Sequence, residues 1–355
     1  MTDRILVTGL MSGSSLDGVD LACCQFLCNE EGWHFEIRAT ETFSYPSSLY
    51  HQLNEAMGRD SEQLVILDHE LGVYFGTLLN RFHREHQVSP ELVASHGHTI
   101  FHEPSRGRTL QIGNGQAMAD LTGLRVVNNF RSADVAQGGQ GAPLVPVGDR
   151  LLFGQYGACL NLGGFANISF EMEQGMRIAY DIGPCNLSLN WIASRLGKPF
   201  DPEGTIAQAG TVEGRLLHTL NQLPYYTLPP PKSLGREWFR TNFLPFLSNT
   251  HLTFSDLMAT TVEHLSFQIG DAINQSGARQ VLVTGGGAFN LFLLERLNTY
   301  IHARLVVPDP VLIAFKEALV FAFLGVLRIR NEINCLASVT GGKQDLSAGE
   351  IYSPT

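Results

Sequence analysis

The chain opens its two halves in the same way, and this repetition is the feature that most limits how it can fold. An apolar run, a glycine-bearing turn and a second apolar run fill Ile5–Phe26, and the same succession fills Ala158–Glu171. The repeat lies in the pattern and not in residue identity. At roughly 100–200 residues per domain, the 355 residues predict two lobes of similar build. A cleft between two lobes is a common ligand site.

Strand-like runs alternate with helical runs along the chain, which predicts an α/β fold with a helix-covered sheet in each lobe. The Gly- and Pro-rich segment Gln137–Pro146 marks the predicted boundary and gives lobes of residues 1–145 and 146–355. The predicted strands are Ile5–Leu10, Val19–Phe26, Trp33–Phe43, Leu92–Ser95, Thr109–Ile112, Arg125–Asn128, Ala158–Leu162, Ile168–Glu171, Met176–Ile182, Gln280–Thr284 and Ala303–Val307. The predicted helices are Ser47–Met57, Ser61–His86, Asn186–Leu196, Val212–Leu223, Arg236–Leu247, Phe254–Gln275, Asn290–Ile301 and Phe315–Glu332.

Composition excludes several classes of protein. The formal net charge is −10 and there is no run of Lys or Arg, so the electrostatic footprint of a nucleic-acid-binding protein is missing. Six cysteines without a CxxC pair argue against a disulfide scaffold and a zinc ribbon. The N-terminus does not resemble a signal peptide, and no uninterrupted apolar stretch approaches ~18 residues. We therefore expect a reduced, cytoplasmic protein without membrane or nucleic-acid partners.

Three glycine-rich turns are the candidate anion sites: Ser12–Gly18, Asn161–Asn167 and Thr284–Asn290. Glycine lets backbone N–H groups converge on an anion without obstruction by Cβ, and the third turn also opens a predicted helix. Each turn taken alone is more often a plain hairpin or βα connection. Three together favour anion binding. Neither GxxxxGK[ST] nor an initial GxGxxG is present, which disfavours a Walker-type NTPase and a Rossmann dehydrogenase.

Acids and histidines supply two further candidate sites. Asp17, Asp20 and Asp181 lie at or near strand–turn junctions, where a carboxylate can act as a general base, hold magnesium or simply form a turn. His96 and His98 form an HxH pair on a predicted strand end, and residues two apart on a strand share a face. The pair could therefore bind zinc as in a metal-dependent hydrolase. No further ligand cluster completes such a site, so hydrogen bonding to a polar ligand is the favoured interpretation.

The motifs together resemble one family, the 1,6-anhydro-N-acetylmuramic acid kinases of the sugar kinase/Hsp70/actin superfamily. The matching stretches follow the family's order across nearly the whole chain. They are GLMSGSSLDGVD (Gly9–Asp20), SHGHTIFHEP (Ser95–Pro104), LQIGNG (Leu110–Gly115), NNFRSADVAQGGQGAPLVP (Asn128–Pro146), NLGGFANIS (Asn161–Ser169), YDIGPCN (Tyr180–Asn186), FDPEGTIAQAG (Phe200–Gly210), VTGGGAFN (Val283–Asn290) and KEALVFAFLG (Lys316–Gly325).

The resemblance implies a two-lobed, ribonuclease H-like α/β fold with a cleft, and Mg-ATP as cofactor. It implies that Asp181 is the catalytic base, that Asp17 holds Mg²⁺ through water, and that Thr99, Arg131 and Glu317 bind the sugar. The first turn is expected to lie against ATP phosphates, with Ser14 in place of the family's usual threonine. The second turn is expected to be another phosphate loop and the third an adenosine loop. The implied ATP-binding residues are Gly13, Ser14, Ser15, Leu16, Asp17, Gly18, Val19, Asp20, Asn161, Gly163, Gly164, Gly285, Gly286 and Asn290.

The implied reaction opens the 1,6-anhydro ring with water and phosphorylates O6, giving N-acetylmuramic acid 6-phosphate in cell-wall recycling. The expected partners are thus ATP and a small anhydro-sugar, and a homodimer is left open. Two departures from the family pattern lie near the implied sugar site: Cys185 replaces glycine and His98 replaces glutamine. Levoglucosan kinases share the scaffold, so another anhydro-sugar is an alternative. Two further alternatives are a metal-dependent hydrolase built on His96 and His98 and a non-catalytic sugar or nucleotide sensor.

Overall fold

The computed structural model describes residues 3–13, 16 and 18–355. By its internal packing the chain divides into two units. Unit 1 contains the residues up to Leu152 together with Phe315–Thr355, and unit 2 is Phe153–Ala314. The first boundary lies near the Gly- and Pro-rich segment that predicted it. The division differs from the expected lobe of residues 146–355, because the last segment of the chain returns to unit 1.

Strands occupy both units and confirm the predicted α/β class together with the helices. Unit 1 holds β1–β6 and β12, and unit 2 holds β7–β11. The strands are β1 (Asp3–Ser12), β2 (Val19–Asn29), β3 (Gly32–Phe43), β4 (Leu92–Glu103), β5 (Arg108–Ile112), β6 (Arg125–Asn128), β7 (Ala158–Leu162), β8 (Phe165–Glu171), β9 (Arg177–Pro184), β10 (Gln280–Thr284), β11 (Arg304–Val306) and β12 (Glu350–Tyr352).

Two long helices have clear start signals. Helix α2 begins after Asp60, whose side chain accepts a hydrogen bond from the Gln63 backbone amide. The Asp60 backbone amide in turn donates to Gln63 Oε1. Helix α11 begins after Thr253 and ends before Gly277, which is left-handed at φ 66°. The helices are α1 (Ser47–Asn54), α2 (Ser61–Glu85), α3 (Gly115–Thr122), α4 (Ser132–Ala136), α5 (Val145–Leu152), α6 (Asn186–Ser194), α7 (Thr205–Gln208), α8 (Gly214–Asn221), α9 (Arg236–Trp238), α10 (Leu244–Ser248), α11 (Phe254–Ser276), α12 (Leu291–Asn298), α13 (Pro310–Ile329) and α14 (Ala337–Thr340).

The two sheets have the same strand order. In unit 1 the order is β3-β2-β1-β4-β6 with β12 at the edge, and β5 pairs with β4 beside this path. In unit 2 it is β9-β8-β7-β10-β11. In each sheet the first three strands in sequence are antiparallel, and the first strand pairs in parallel with β4 or β10. The repeat predicted from the sequence is thus a repeat of topology.

The return of the C-terminal segment to unit 1 has a steric basis. Helix α13 passes directly over β1 at Gly9, where an added Cβ would lie 1.9 Å from the Ala318 carbonyl oxygen. At Gly325 an added Cβ would lie 2.5 Å from the Ala94 Cβ on β4. Strand β12 then pairs antiparallel with β6. Glycine and alanine at these points let the helix backbone approach the sheet.

Helix α13 is long and apolar enough to cross a membrane by length and composition. In this structure it is a core element, because 72% of its apolar window is buried. Phe321 packs against His96 and Phe130, and Phe323 packs against Phe26. Such an all-round apolar helix is typical of the centre of a large domain.

The close approach of α13 to β1 gives a stability prediction. Gly9→Ala places a methyl group against backbone atoms of α13 that cannot rotate away. We expect a loss of about 3 kcal/mol or more in the free energy of unfolding, because overpacking a tight core forces backbone shifts. Gly58→Ala is the matched control, since nothing lies within 4 Å of its added Cβ. Chemical denaturation of both variants checks this, and equal midpoints would contradict the steric argument.

Candidate active site

The loop after β1 is held as a turn. The Leu16 amide donates to the Gly13 carbonyl at 3.1 Å, and Leu16 has a positive φ of 61°. The Leu16 side chain is half-buried against the unit 1 core, and Val19 is fully buried, so Val19 can offer a ligand only backbone groups. An added Cβ at Gly18 would meet the Phe43 carbonyl oxygen at 2.9 Å. Ser14, Ser15 and Asp17 lie outside the described residues.

The end of β1 is tied to β4 through side chains. The buried Ser12 hydroxyl contacts His98 Nδ1 at 2.8 Å and the Tyr45 hydroxyl at 2.5 Å. Burial lowers the pKa of His98 to about 4, so its ring is neutral at physiological pH. The histidine that departs from the family pattern therefore fixes the base of the first glycine turn.

Arg131 and His96 form a second buried pair in unit 1. His96 Nδ1 contacts the Gly97 carbonyl at 2.9 Å, so it carries the proton, and Nε2 accepts from the Arg131 guanidinium at 2.9 Å. Burial, with Arg131 adding to it, lowers the pKa of His96 to about 3. Arg131 Nη1 also donates to the Gly141 carbonyl at 2.6 Å. The guanidinium is thus fixed in direction by a neutral acceptor and keeps its positive charge.

The zinc-binding interpretation of the HxH pair is wrong. Gly97 between the two histidines has φ +74°, and the pairing of β1 with β4 shifts register at this point. The strand is therefore not regular here, and sequence spacing does not determine a shared face. Both ring nitrogens of His96 are engaged, which leaves no lone pair for a metal. Within residues 3–13, 16 and 18–355, no group of three His, Cys, Asp or Glu side chains could hold a metal ion.

Glu317 lies near Arg131, and Asp20 lies near Glu317. Burial raises the pKa of the Glu317 carboxyl group. The positive charges of Arg131 and Lys316 lower this pKa, and the charge of Asp20 raises it. Burial lowers the pKa of Arg131 to about 10 while Glu317 raises it, so the arginine remains a cation at neutral pH. The Asp20 carboxylate accepts from the Thr42 hydroxyl at 2.6 Å. Thr99, the remaining predicted sugar residue, accepts from Gln111 Nε2 at 3.4 Å.

Sequence reasoning missed Asp134, a fully buried carboxylate that fixes the segment carrying Arg131. Its oxygens accept from the Gly141 amide at 2.7 Å and from the Thr340 hydroxyl at 2.9 Å. These bonds fix the position of Gly141, and the Gly141 carbonyl accepts a hydrogen bond from Arg131. The QGGQG run was visible in the sequence, but only the fold shows which carboxylate its amides meet.

In unit 2 the second glycine turn caps a helix. The amides of Cys185 and Asn186, at the start of α6, donate to the carbonyls of Gly164 and Gly163 at 2.9 and 3.1 Å. The carbonyl groups of the turn therefore accept hydrogen bonds from the first amides of the helix. The Cys185 side chain is fully buried in the unit 2 core, so the residue that replaces the family's glycine has no exposed surface.

The third glycine turn packs against the second. Strands β7 and β10 pair in parallel with Asn161 opposite Thr284, which puts Gly285 beside Asn161. An added Cβ at Gly285 would lie 2.5 Å from Asn161 Oδ1 and 2.8 Å from the Leu162 carbonyl carbon, and its φ of +81° also favours glycine. Two of the three predicted turns, including Gly163, Gly164, Gly285 and Gly286, thus meet at one edge of the sheet.

Asn290 follows the third turn, and its side chain has a structural role. Its Oδ1 accepts from the Leu293 amide at 2.9 Å and so caps α12. An added Cβ at Gly204 would meet the same oxygen at 2.3 Å. Its predicted contact with a nucleotide is therefore limited to the atoms that the cap does not use.

Asp181 on β9 is held in one orientation by a neighbouring loop. Its carboxylate Oδ2 accepts from the Leu234 amide at 2.8 Å, and its amide donates to the Lys232 carbonyl at 3.1 Å. The Tyr225 hydroxyl donates to its carbonyl at 2.6 Å. Burial raises the pKa of Asp181 to about 6, against the lowering effect of the Leu234 amide. A base with this pKa is mostly ionised at pH 7 and accepts a proton readily.

The chain is similar along nearly its whole length to proteins of known name. The sequence profile of the family described as "Anhydro-N-acetylmuramic acid kinase" matches residues 5–354. The Pasteurella multocida protein of that name is 36% identical over 97% of this chain and 96% of its own length. Those of Xanthomonas oryzae pv. oryzae and Vibrio cholerae are 36% and 35% identical over 99% and 100% of this chain, and cover 98% and 100% of their own lengths.

The raised pKa of Asp181 predicts a pH-dependent stability change. Because the folded-state pKa of about 6 exceeds the ordinary aspartate value of 3.8, folding favours the protonated form, and this contribution is lost as pH rises through 6. Asp181→Asn removes the charge but keeps an oxygen for the Leu234 amide. We expect it to be more stable than wild type by about 1–3 kcal/mol at pH 8 and nearly equal at pH 4. Denaturation at both pH values checks this, and a difference that does not change with pH would contradict it.

Proposed function

The chain belongs to the anhydro-N-acetylmuramic acid kinase family, and from this premise we propose how its residues carry out the reaction. The protein is an ATP-dependent kinase of this type. We propose that water opens the 1,6-anhydro ring at C1 while O6 takes the γ-phosphoryl group of ATP. The products are N-acetylmuramic acid 6-phosphate and ADP, and the role is cytoplasmic recycling of cell-wall sugar.

The nucleotide is proposed to bind through backbone groups at the glycine turns. The paired turns of unit 2 support this assignment, because close backbone packing at Gly285 leaves no room for a side chain. The carbonyls of Gly163 and Gly164 are used by α6, so the polar groups left for an anion at this turn are amides. An acidic chain can bind phosphate in this way without a cluster of lysines.

Magnesium is proposed to arrive with ATP. Asp17 is the proposed ligand, through water, and Asp20 offers a second hard oxygen of the kind Mg²⁺ prefers. A magnesium ion bound mainly by nucleotide phosphates needs only one or two protein carboxylates, which suits a site without a larger acidic cluster. When bound, it would neutralise charge on the transferring phosphoryl group.

The sugar acid is proposed to bind at Arg131, Glu317 and Thr99. Muramic acid carries a carboxylate, and a guanidinium is the side chain best shaped to bind one. His96 supports this role, because as a neutral acceptor it orients Arg131 without cancelling its charge. Glu317 offers an acceptor for sugar hydroxyls close to the same guanidinium.

Asp181 is proposed to activate the water, and its environment is the observation that carries the mechanism. The carboxylate takes one proton from water as the oxygen attacks C1. The C1–O6 bond then breaks and O6 attacks the γ-phosphorus, with ADP as leaving group. One hydrogen bond from Leu234 fixes the base, and its pKa of about 6 suits proton transfer near neutrality. Most of the remaining catalysis is positioning and charge stabilisation.

Replacing the proposed base should remove turnover and leave binding intact. We expect Asp181→Asn to lower kcat by at least ~10²-fold, since a positioned carboxylate typically contributes 10²–10⁴, with little change in ATP affinity. Coupled ADP-release kinetics and calorimetry with an ATP analogue measure the two quantities. For the wild type, kcat should fall below pH ~6, where the base is protonated. Glu295→Gln, which neutralises an exposed carboxylate of unit 2, is the matched control.

Isotope labelling tests the direction of water attack. In ¹⁸O-water the wild type should place label at C1 of the product and none in the new phosphate. Label in the phosphate would mean that water attacks phosphorus, and the role proposed for Asp181 would be wrong. Full turnover of Asp181→Asn would exclude it independently.

Nucleotide affinity should depend on the packing of the two turns. Gly285→Ala forces the backbone away from Asn161 and Leu162, so we expect ATP to bind at least ~10-fold more weakly. Gly214→Ala is the control, because its added Cβ meets nothing within 4 Å. Calorimetric titration with a non-hydrolysable ATP analogue measures both. Unchanged affinity in a folded Gly285→Ala protein would reject the adenosine-loop assignment.

A further inference from the structure

Unit 1 contains a cavity of about 490 Å³ that the proposed reaction does not use. It is bounded by α2, β5, the start of α3, the end of β6 and β12. The Arg131–His96 pair packs elsewhere, against Phe321 of α13. The volume lies within the usual range for small-molecule sites. Val65 and Arg108 at its lining are exposed, so it opens to solvent.

Two residues that line the cavity each have a buried side-chain oxygen without a hydrogen-bond partner in the described part of the chain. Among the described residues, Gln111 Oε1 and Asn128 Oδ1 are inaccessible to solvent and accept no hydrogen bond. Their amide nitrogens are engaged, Gln111 Nε2 with Thr109 Oγ1 at 2.9 Å and Asn128 Nδ2 with the Gly113 carbonyl at 3.1 Å. These bonds set the orientation of both amides. A buried polar atom without a partner is costly, and a ligand that donates hydrogen bonds would remove the cost.

The cavity lining contains two arginines and two carboxylates, and among the described residues only the carboxylates have polar partners within the protein. Its two carboxylates are occupied: Asp68 accepts from Gly113 and Asn114, and Glu350 accepts from Asn129 and Tyr352. Its two arginines are not paired with them. In the described part of the chain Arg59 makes no side-chain hydrogen bond or ion pair, and Arg108 lies over the Phe101 ring at 3.8 Å. Within the described lining, the groups without polar partners are therefore the arginine cations at the rim and the amide oxygens of Gln111 and Asn128.

We propose that this cavity is a second ligand site of the kinase, for a small hydroxylated anion. Hydroxyl or amide groups of the ligand donate to Gln111 and Asn128, and its carboxylate or phosphate meets Arg59. Sugar acids and sugar phosphates share this chemistry. The hydrogen bond from Gln111 Nε2 to Thr99 at 3.4 Å connects the site to a residue of the proposed sugar site. Occupancy of this cavity does not depend on the kinase chemistry proposed above.

Calorimetry without nucleotide tests the site with three probes: N-acetylmuramic acid, N-acetylglucosamine 6-phosphate and neutral N-acetylglucosamine. We expect at least one acidic probe to bind the wild type at least ~10-fold more tightly than the neutral one. Carboxylate and phosphate sources are distinguished by which probe binds. Failure of both acids to bind up to about 10 mM, or equal binding of the neutral sugar, would overturn the proposal.

Variants locate the binding. Arg59→Glu and Asn128→Leu should each weaken the acidic probe at least ~10-fold. Arg125→Glu, at an exposed arginine of β6 that does not line the cavity, should change binding less than about twofold. Arg59 lies at the rim, so its variant tests the site even if Asn128→Leu does not fold. Equal losses in Arg59→Glu and Arg125→Glu would overturn the proposal.

Turnover separates this site from the catalytic one. Arg59→Glu should keep the kcat and KM of the wild type for the anhydro-sugar at low product concentration. A rise in KM that matches the loss of binding would mean that the cavity is part of the substrate site, and the second site would be rejected. Loss of activity in Asp181→Asn with unchanged probe binding would support the two proposals separately.

Discussion

The parallel pairing of two strands in each unit is the constraint on which the rest of the site depends. Carboxyl ends of parallel strands lie at the same edge of a sheet, so the loops that follow them must meet. In unit 2 this brings Asn161 beside Thr284, and in unit 1 the end of β1 at Ser12 lies beside His98, at the irregular part of β4. Gly285, after β10, is then a steric requirement, because the Asn161 side chain and the Leu162 backbone occupy the space of a side chain.

Burial determines which groups in the candidate site carry charge. His96 and His98 are kept neutral because their pKa values fall to about 3 and 4. Arg131 remains a cation even with its pKa lowered to about 10. Asp181, in contrast, is raised to about 6, close to the range in which proteins work. The histidines therefore orient their neighbours, while the arginine and the carboxylate are the groups that we propose for charge stabilisation and proton transfer.

The sequence predicted the fold best where the local signal and the tertiary environment agree. The strands Arg125–Asn128, Ala158–Leu162 and Gln280–Thr284 match from end to end. The helix Gly115–Thr122 was missed, since its cap Asn114 stands between two glycines and resembles a turn. Strand β4 runs beyond the predicted Ser95 because its bulge depends on pairing with β1.

The site was predictable as a set of residue types but not as contacts. The glycine turns could be identified from the sequence, whereas the bond between His96 and Arg131 joins residues 35 positions apart. No spacing rule gives such a pair before the strands are assembled. The zinc hypothesis for His96 was wrong for a related reason. Its Nε2 lone pair accepts a hydrogen bond from Arg131, a contact that the sequence does not show.

Unit 2 is one continuous stretch of the chain, whereas unit 1 consists of two stretches. During translation, unit 2 is therefore completed before unit 1. Residues 153–314 have all been synthesised while unit 1 still lacks the helix that covers β1 and the edge strand β12. The sheet of unit 1 therefore keeps an apolar face exposed during translation, although most of its strands are synthesised before unit 2. Exposed strands of this kind attract chaperones and aggregate when translation stalls. Premature stop codons late in the reading frame would thus damage the beginning of the protein most.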